Sequence, residues 1–225
     1  WGGDLVEALA EIYPIETALP QLIEVMAAAH LQRDESLQQR DRERVLEQDW
    51  FQSPETIGYV AYADLFAKNL KGIAKRIPYL ENLGVTYLHL LPILKPRPGA
   101  NDGGYAVMDY RALREDLGSM KELRSTADKL HDSGISLTLD LVLNHTGESD
   151  VHGPILSLRG LDNAAYAHAP DGSLINDTGC GNTLDFANPA VRRLMIDTLT
   201  HFVSHCGIDG FRFDLAPVIA RGPGF

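Results

Sequence analysis

Apolar residues follow two different patterns along this chain. Up to about residue 49 they recur with broken helical spacing: Leu22, Ile23 and Met26, then Leu37, Val45 and Leu46. Steps of three and four residues place such positions on one helical face. The stretch from Arg33 to Arg44 between them is dense in charge of both signs, which belongs to a solvated face. Pro20 suits a first helical position. Residues 1–55 are therefore expected to form a helical module without chemistry.

From about residue 56 the pattern becomes strand, loop, helix. Ile57 to Tyr62 is a β-rich run, followed by a helical stretch from Leu70 to Asn82 that Pro78 is expected to interrupt and Gly84 to end. Val85 to Leu91 reads as a second strand, stopped by Pro92, and a long polar loop precedes a helix from about Ser119 to His131, closed by Gly134. Ile135 to Leu143 is almost continuously apolar, as in a strand buried on both faces. Another long loop runs from Thr146 to about Asn188. Pro189 then opens a helix to Cys206, and Ile208 to Leu215 is the fourth strand.

This alternation predicts a parallel sheet with right-handed crossovers. Short loops at strand starts and long loops at strand ends put the functional residues on one face, as in a TIM-type barrel. An eight-step barrel takes about 250 residues, and only four steps are visible here. The predicted fold is α/β: the N-terminal half of a (β/α)8 barrel over residues 56–225, about four βα units, preceded by the helical module. Both ends read as cut, since the chain opens on Trp1 and closes on the loop-like Arg221-Gly-Pro-Gly-Phe225.

Composition narrows the partners. The 225 residues are 44% hydrophobic and 23% charged, ordinary material for a sizeable core, with a net charge of -11. That balance argues against nucleic acid or anionic membrane and permits a neutral substrate. No apolar run approaches the roughly 18 residues that cross a bilayer, and no charged-then-apolar leader opens the chain. Cys180 and Cys206 form no metal spacing and no disulfide framework, and read as free thiols in a reducing, cytoplasmic setting.

Three segments carry chemistry. The fourth strand ends in Arg212-Phe-Asp214, and alternation along a strand puts Arg212 and Asp214 on one side, where they can meet. A guanidinium there keeps the carboxylate ionised and aimed, as a glycosyl nucleophile requires. The third strand ends in Asp140-Leu-Val-Leu-Asn-His145. His145 is read as a donor to a sugar hydroxyl, Asn144 as a loop stabiliser with a calcium ion as the alternative, and Asp140 as a support from below. Asn101 to Tyr110 is by itself a turn. At the end of the second strand it becomes a subsite wall, with Tyr105 placed to stack on a sugar ring and two glycines giving Asp102 a special backbone geometry.

Together these residues resemble the α-amylase superfamily of retaining glycosidases and transglycosylases, glycoside hydrolase family 13, over roughly residues 56–225. The resemblance implies Asp214 as nucleophile, Arg212 as its partner, and His145 with Tyr105 in the subsite holding the attacked glucosyl unit. Asp140 and Asn144 match supporting positions, and no cofactor is implied. Residues 1–146 resemble amylosucrase in the helical preamble, Asp49 to Pro54, Tyr87 to Pro92 and the Asp102 to Tyr105 loop, which implies that Asp102 helps close a sucrose pocket. Residues 147–225 resemble isoamylase-type glycogen debranching enzymes in Gly153 to Asn163, Asn176 to Asn182 and Phe211 to Pro217. A recombined sequence with a junction near Thr146 to Gly153 is one reading of this mixture.

The family takes its general acid/base from a fifth strand and a further aspartate from a seventh. Asp209, the remaining carboxylate on the fourth strand, sits at the wrong end of it. The expected function is an α-glucan-active retaining glycosidase of debranching type, incomplete or chimeric, with little turnover alone. One alternative is a glucosyltransferase acting on sucrose. The other is a non-catalytic half-barrel that dimerises through open sheet edges. A carbohydrate-binding module fits poorly, since such modules lack this βα alternation.

Overall fold

The computed structural model describes residues 2–11, 13–47, 49–149 and 152–221, and the chain divides into two compact units, residues 1–50 and 51–225. The first unit holds helices α1 (Gly2–Ala10), α2 (Ile15–Leu31) and α3 (Glu35–Leu46). Pro20 does not open a helix, contrary to expectation. Pro14 occupies the N-cap of α2, where Thr17 Oγ1 donates to its carbonyl, so the helix starts earlier and Pro20 lies in the second turn. Charge on α3 is satisfied locally: Arg33 and His30 both reach Asp41, and Arg42 donates to Gln39.

The second unit is built on β1 (Gly58–Ala61), β2 (Tyr87–Leu90), β5 (Ser136–Leu141) and β6 (Gly210–Phe213), with β3 (Leu94–Pro96) and β4 (Val107–Leu113) between β2 and β5 in the chain. The four-stranded sheet runs in the order β1-β2-β5-β6 and every pairing is parallel. Each strand lies beside its predecessor in the alternating series, as the start of a barrel requires. The strands are shorter than the apolar runs suggest. Val85, Ile135 and Ile208 are buried lead-ins that pack in the core without joining the ladder.

Helices α4 (Ala63–Ala67), α5 (Leu70–Lys75), α6 (Ile77–Asn82), α7 (Met120–Asp132), α8 (Pro189–Cys206) and α9 (Ala216–Arg221) complete the unit. The break between α5 and α6 falls at Arg76 and Pro78 sits in the first turn of α6, because a proline has no N–H to continue the preceding helix. Ser119 and Glu122 form a reciprocal capping box at the start of α7. Asn188 caps α8 ahead of Pro189, and Gly207 ends α8 in the left-handed conformation. The short helix α9 was not anticipated. The glycine- and proline-rich end at 222–225 lies outside the described residues.

Alternation sorts the sheet into two faces. Leu88, Leu90, Leu137, Leu139 and Leu141 are fully buried and join the core with Leu70, Ile73, Leu80, Leu123, Leu130, Met195 and Phe202 from the helices. Register aligns Val60, His89, Thr138 and Gly210 on the opposite face, with Asp140 beside Arg212 one step further on.

The segment read as a polar loop after Pro92 is a correction. It forms an antiparallel ribbon, β3 with β4, whose register shifts at two points. Those irregularities and the prolines at 92, 96 and 98 hide the two-residue period that would have revealed it. The ribbon tip is a tight turn over Asp102–Gly104.

Leu139→Ala, at the buried centre of β5, is expected to lower the unfolding free energy by about 2–5 kcal/mol. Ser119→Ala at the cap of α7 is expected to cost about 1 kcal/mol. Urea denaturation followed by circular dichroism measures both.

Candidate active site

Adjacent strands bring the charged residues together. Asp140 on β5 pairs in register with Arg212 on β6, and Asp140 is almost fully buried. A carboxylate in that position must be compensated by donors. Arg212 Nη1 lies 3.1 and 3.2 Å from its two oxygens, and the Tyr105 hydroxyl donates to Oδ2 at 3.1 Å. His89 Nε2, on β2, is 3.5 Å from the same oxygen. The same Arg212 nitrogen donates to Asp214 Oδ1 at 2.9 Å, so Arg212 and Asp214 do meet on one side of the strand. The hydrogen bond to Asp140 is the main reason the Arg212 guanidinium is held above its ordinary basicity.

Asp214 is held at the end of the ladder. Its N–H donates to the Leu141 carbonyl at 3.0 Å, extending the β5–β6 pairing one residue beyond β6. Leu215 then adopts φ 77, a left-handed conformation rare for a branched side chain, which turns the chain sharply into α9. Strain of this kind concentrates at functional positions.

His145 and Asn144 follow β5 and are both fully buried. His145 Nε2 lies 3.1 Å from the Tyr105 carbonyl, and its own carbonyl accepts from the Tyr110 hydroxyl at 2.9 Å. The ring therefore carries its proton on Nε2 and spends it on the backbone of the ribbon. Donation to a sugar, as read from the sequence, requires exchanging that bond. Burial is the leading cause of the lowered basicity of His145, so the ring is neutral at pH 7. Tyr105 is likewise engaged through its hydroxyl, and its ring is half-buried. Burial first, and then Asp140, push its phenol well above the usual range.

Asp102 occupies the ribbon tip with φ 54, followed by Gly103 and Gly104 at positive φ, which is the special geometry its neighbours suggested. A Cβ on Gly104 would lie 3.2 Å from the Pro92 carbonyl oxygen, so the turn packs tightly on the end of the second strand. The Asn101 side chain accepts from the Gly104 N–H at 3.1 Å. Asp209 is occupied elsewhere, accepting from Leu137 N at 2.8 Å with His131 Nε2 at 2.7 Å, at the far end of β6 from Asp214.

Two residues were missed. His89 was detectable as an imidazole flanked by leucines inside a largely apolar strand run. Glu148 was not, because three of its carboxylate's four partners among the described residues are backbone groups. Its buried carboxylate accepts from Leu156 N at 2.7 Å, Ser157 N at 3.0 Å and Arg159 N at 3.0 Å, and from the Tyr166 hydroxyl. Burial acts to raise its pKa, but these donors outweigh it and hold it below the usual carboxylate range. The cluster clamps the long loop after β5 to the strand end, where His145 also bridges Thr183.

At Asn144, where a calcium ion is the alternative, Oδ1 and Nδ2 are both buried without a hydrogen-bond partner among the described residues. Calcium takes six to eight oxygens, carboxylates among them. Among the described residues no group of three His, Cys, Asp or Glu side chains is placed to hold a metal, and Glu148, the acid four positions on, is fully engaged. No described helix is long and apolar enough to cross a membrane.

Comparison with known proteins places this geometry in a family. The model for the alpha-amylase catalytic domain matches residues 41–154. A glycogen debranching enzyme of Yersinia enterocolitica is 42% identical over 165 residues, covering 66% of this chain and 25% of that protein. The Yersinia pestis enzyme of the same name matches to the same extent. The chain thus spans about a quarter of the length of these relatives. Among solved structures, an alpha-amylase from Lactobacillus plantarum superposes with a TM-score of 0.61 at 27% identity, over 72% of this chain and 39% of that one. A maltogenic alpha-amylase from Thermotoga neapolitana gives a TM-score of 0.62 at 22% identity, over the same shares, and shares the fold. The chain is therefore one part of a barrel of this type.

The pH dependence follows from the buried rings. His89, His145 and His201 all have lowered basicity with burial as the first cause. Such a group binds its proton more readily in the unfolded chain, so the stability present above an ordinary histidine pKa of about 6.5 is lost as pH falls through it. Unfolding free energy is expected to decline between pH 7 and 5, before the carboxylates respond. The His145 ring should remain neutral at pH 6.5 in long-range nitrogen–proton spectra.

Proposed function

Since the chain belongs to the α-amylase catalytic-domain family, we propose that its site is the nucleophile half of a retaining α-glucan glycosidase of debranching type. Asp214 attacks the anomeric carbon of the bound glucosyl unit and forms a covalent glycosyl ester, which water then opens. Arg212 holds Asp214 aimed along the strand end through the hydrogen bond from Nη1. His145, Tyr105 and Asp102 surround the sugar, with Asp140 supporting Tyr105 and Arg212 from beneath and Asn144 supporting the adjoining strand end. The single observation that carries this reading is the Arg212 guanidinium shared between a buried carboxylate and a less enclosed one at the end of parallel strands.

The leaving oxygen must receive a proton from a second carboxyl roughly 5–5.5 Å from the nucleophile. Asp140 is committed to Arg212 and Tyr105, and Asp209 to the opposite strand end, so neither serves. Branched α-glucan stands ahead of sucrose as substrate because the named relatives are glycogen debranching enzymes.

A second reading, a non-catalytic half-barrel pairing with its own copy, is supported by the outer positions of β1 and β6 in the sheet and by the exposure of Val60 and Phe213 upon them. Sedimentation velocity separates the two: a well-behaved monomer that binds maltooligosaccharides removes the second reading.

The 225-residue chain by itself is expected to bind maltooligosaccharides in ligand-observed NMR. It should degrade glycogen, pullulan or sucrose no faster than its Asp214→Ala variant does. Absence of binding at millimolar saccharide would overturn the α-glucan assignment. Substantial hydrolysis lost on Asp214→Ala would show that the proton donor lies within this chain.

A further inference from the structure

The carboxylate at the ribbon tip is met by a side chain from far along the sequence. The Cys180 thiol, in the long loop between β5 and α8, donates to Asp102 Oδ2 at 2.8 Å. Both partners are fixed from behind. Arg97 Nη1 donates to the Cys180 carbonyl at 3.1 Å and to the Gly147 carbonyl at 3.0 Å, tying the loop to the strand end and to the ribbon that carries Arg97. Gly181 lies so close to that strand end that a Cβ would fall 1.7 Å from the Thr146 carbonyl oxygen. The pair stands beside the proposed chemistry, since both Asp102 and Asp214 act electrostatically on Cys180 and on His145.

We propose that Cys180 is a positioning residue for Asp102. Its thiol occupies one carboxylate oxygen, so that the other faces a hydroxyl of the sugar held in front of Asp214. A thiol suits this task because it donates a hydrogen bond without adding charge, leaving the other carboxylate oxygen able to accept from a hydroxyl. Burial first, and then Asp102, push the Cys180 thiol up to about 11, so at neutral pH it is a protonated donor and a poor nucleophile. The assignment rests on the proposed role of Asp102 as a sugar-binding group, and it makes the thiol–carboxylate pair a determinant of which saccharide is accepted.

The test uses the whole chain and the reactivity of the thiol itself. Iodoacetamide labelling is followed between pH 7 and 10 by peptide mass spectrometry, with the buried Cys206 as internal reference. Asp102→Asn keeps the turn, because asparagine tolerates the left-handed conformation. It should speed Cys180 labelling at pH 8 by up to about tenfold, the effect of one pKa unit on the thiolate fraction, and leave Cys206 unchanged. In the same preparation Cys180→Ala should weaken maltotriose binding roughly fivefold, the scale of one lost hydrogen bond, and Cys180→Ser should restore it. Labelling of Cys180 that ignores Asp102→Asn would overturn the contact. Equal maltotriose affinity in wild type and Cys180→Ala would overturn the positioning role. Asp102-dependent labelling in a protein that binds no maltotriose would instead remove the sugar-binding assignment, and with it the role of the pair, while leaving the contact in place.

Discussion

The site depends on one guanidinium placed between two carboxylates of unequal burial. Asp140 sits almost out of reach of solvent, and an unpaired charge there would be expelled or neutralised. Arg212 satisfies it from the adjacent strand and uses the same nitrogen to hold Asp214 at the ladder's end. Strand register brings these groups together, because Asp140 and Arg212 are direct partners in the β5–β6 ladder. A slip of one residue would turn both away from each other and dissolve the arrangement.

Around that centre two irregular segments form the walls. The β3–β4 ribbon contributes Tyr105 to Asp140, the Tyr105 carbonyl to His145, and Asp102 at its tip. The long loop after β5 contributes Cys180 and is anchored by Glu148. The ribbon reaches the sheet through the Tyr105 hydroxyl on the Asp140 carboxylate and the His145 ring on the Tyr105 carbonyl, and the loop through backbone amides on the Glu148 carboxylate. The rigid sheet therefore orients the loops, and the loops shape the space before Asp214.

The regular part of this architecture was legible in the sequence. Four apolar strand runs, the glycines that end helices and the Arg-Phe-Asp spacing were enough to place a parallel sheet with Asp214 and His145 at one face. The β3–β4 ribbon was not legible, because prolines and register shifts erase the alternating pattern that identifies a strand. Glu148 escaped notice for a different reason. Among the described residues, three of its carboxylate's four partners are amide groups, of Leu156, Ser157 and Arg159, and every residue type but proline offers such an N–H. His145 follows β5 as its sequence position implied, yet its bond to the Tyr105 carbonyl depends on a ribbon the sequence did not reveal.

The Glu148 clamp fixes the stem of the long excursion after β5, and its middle is pinned as well, with Tyr166 buried and bridged to Leu184 and the Cys180 carbonyl held by Arg97. Residues 156–159 are gripped by a charge that cannot leave its pocket cheaply, and 182–184 are stitched to the strand end. The exposed turn at 170–173, beyond the bridge from His168 to Leu174, can lengthen, shorten or change composition without disturbing Asp140 or Asp214. A fold organised this way can change what it presents to solvent at one surface turn, while the parts beneath stay as they are.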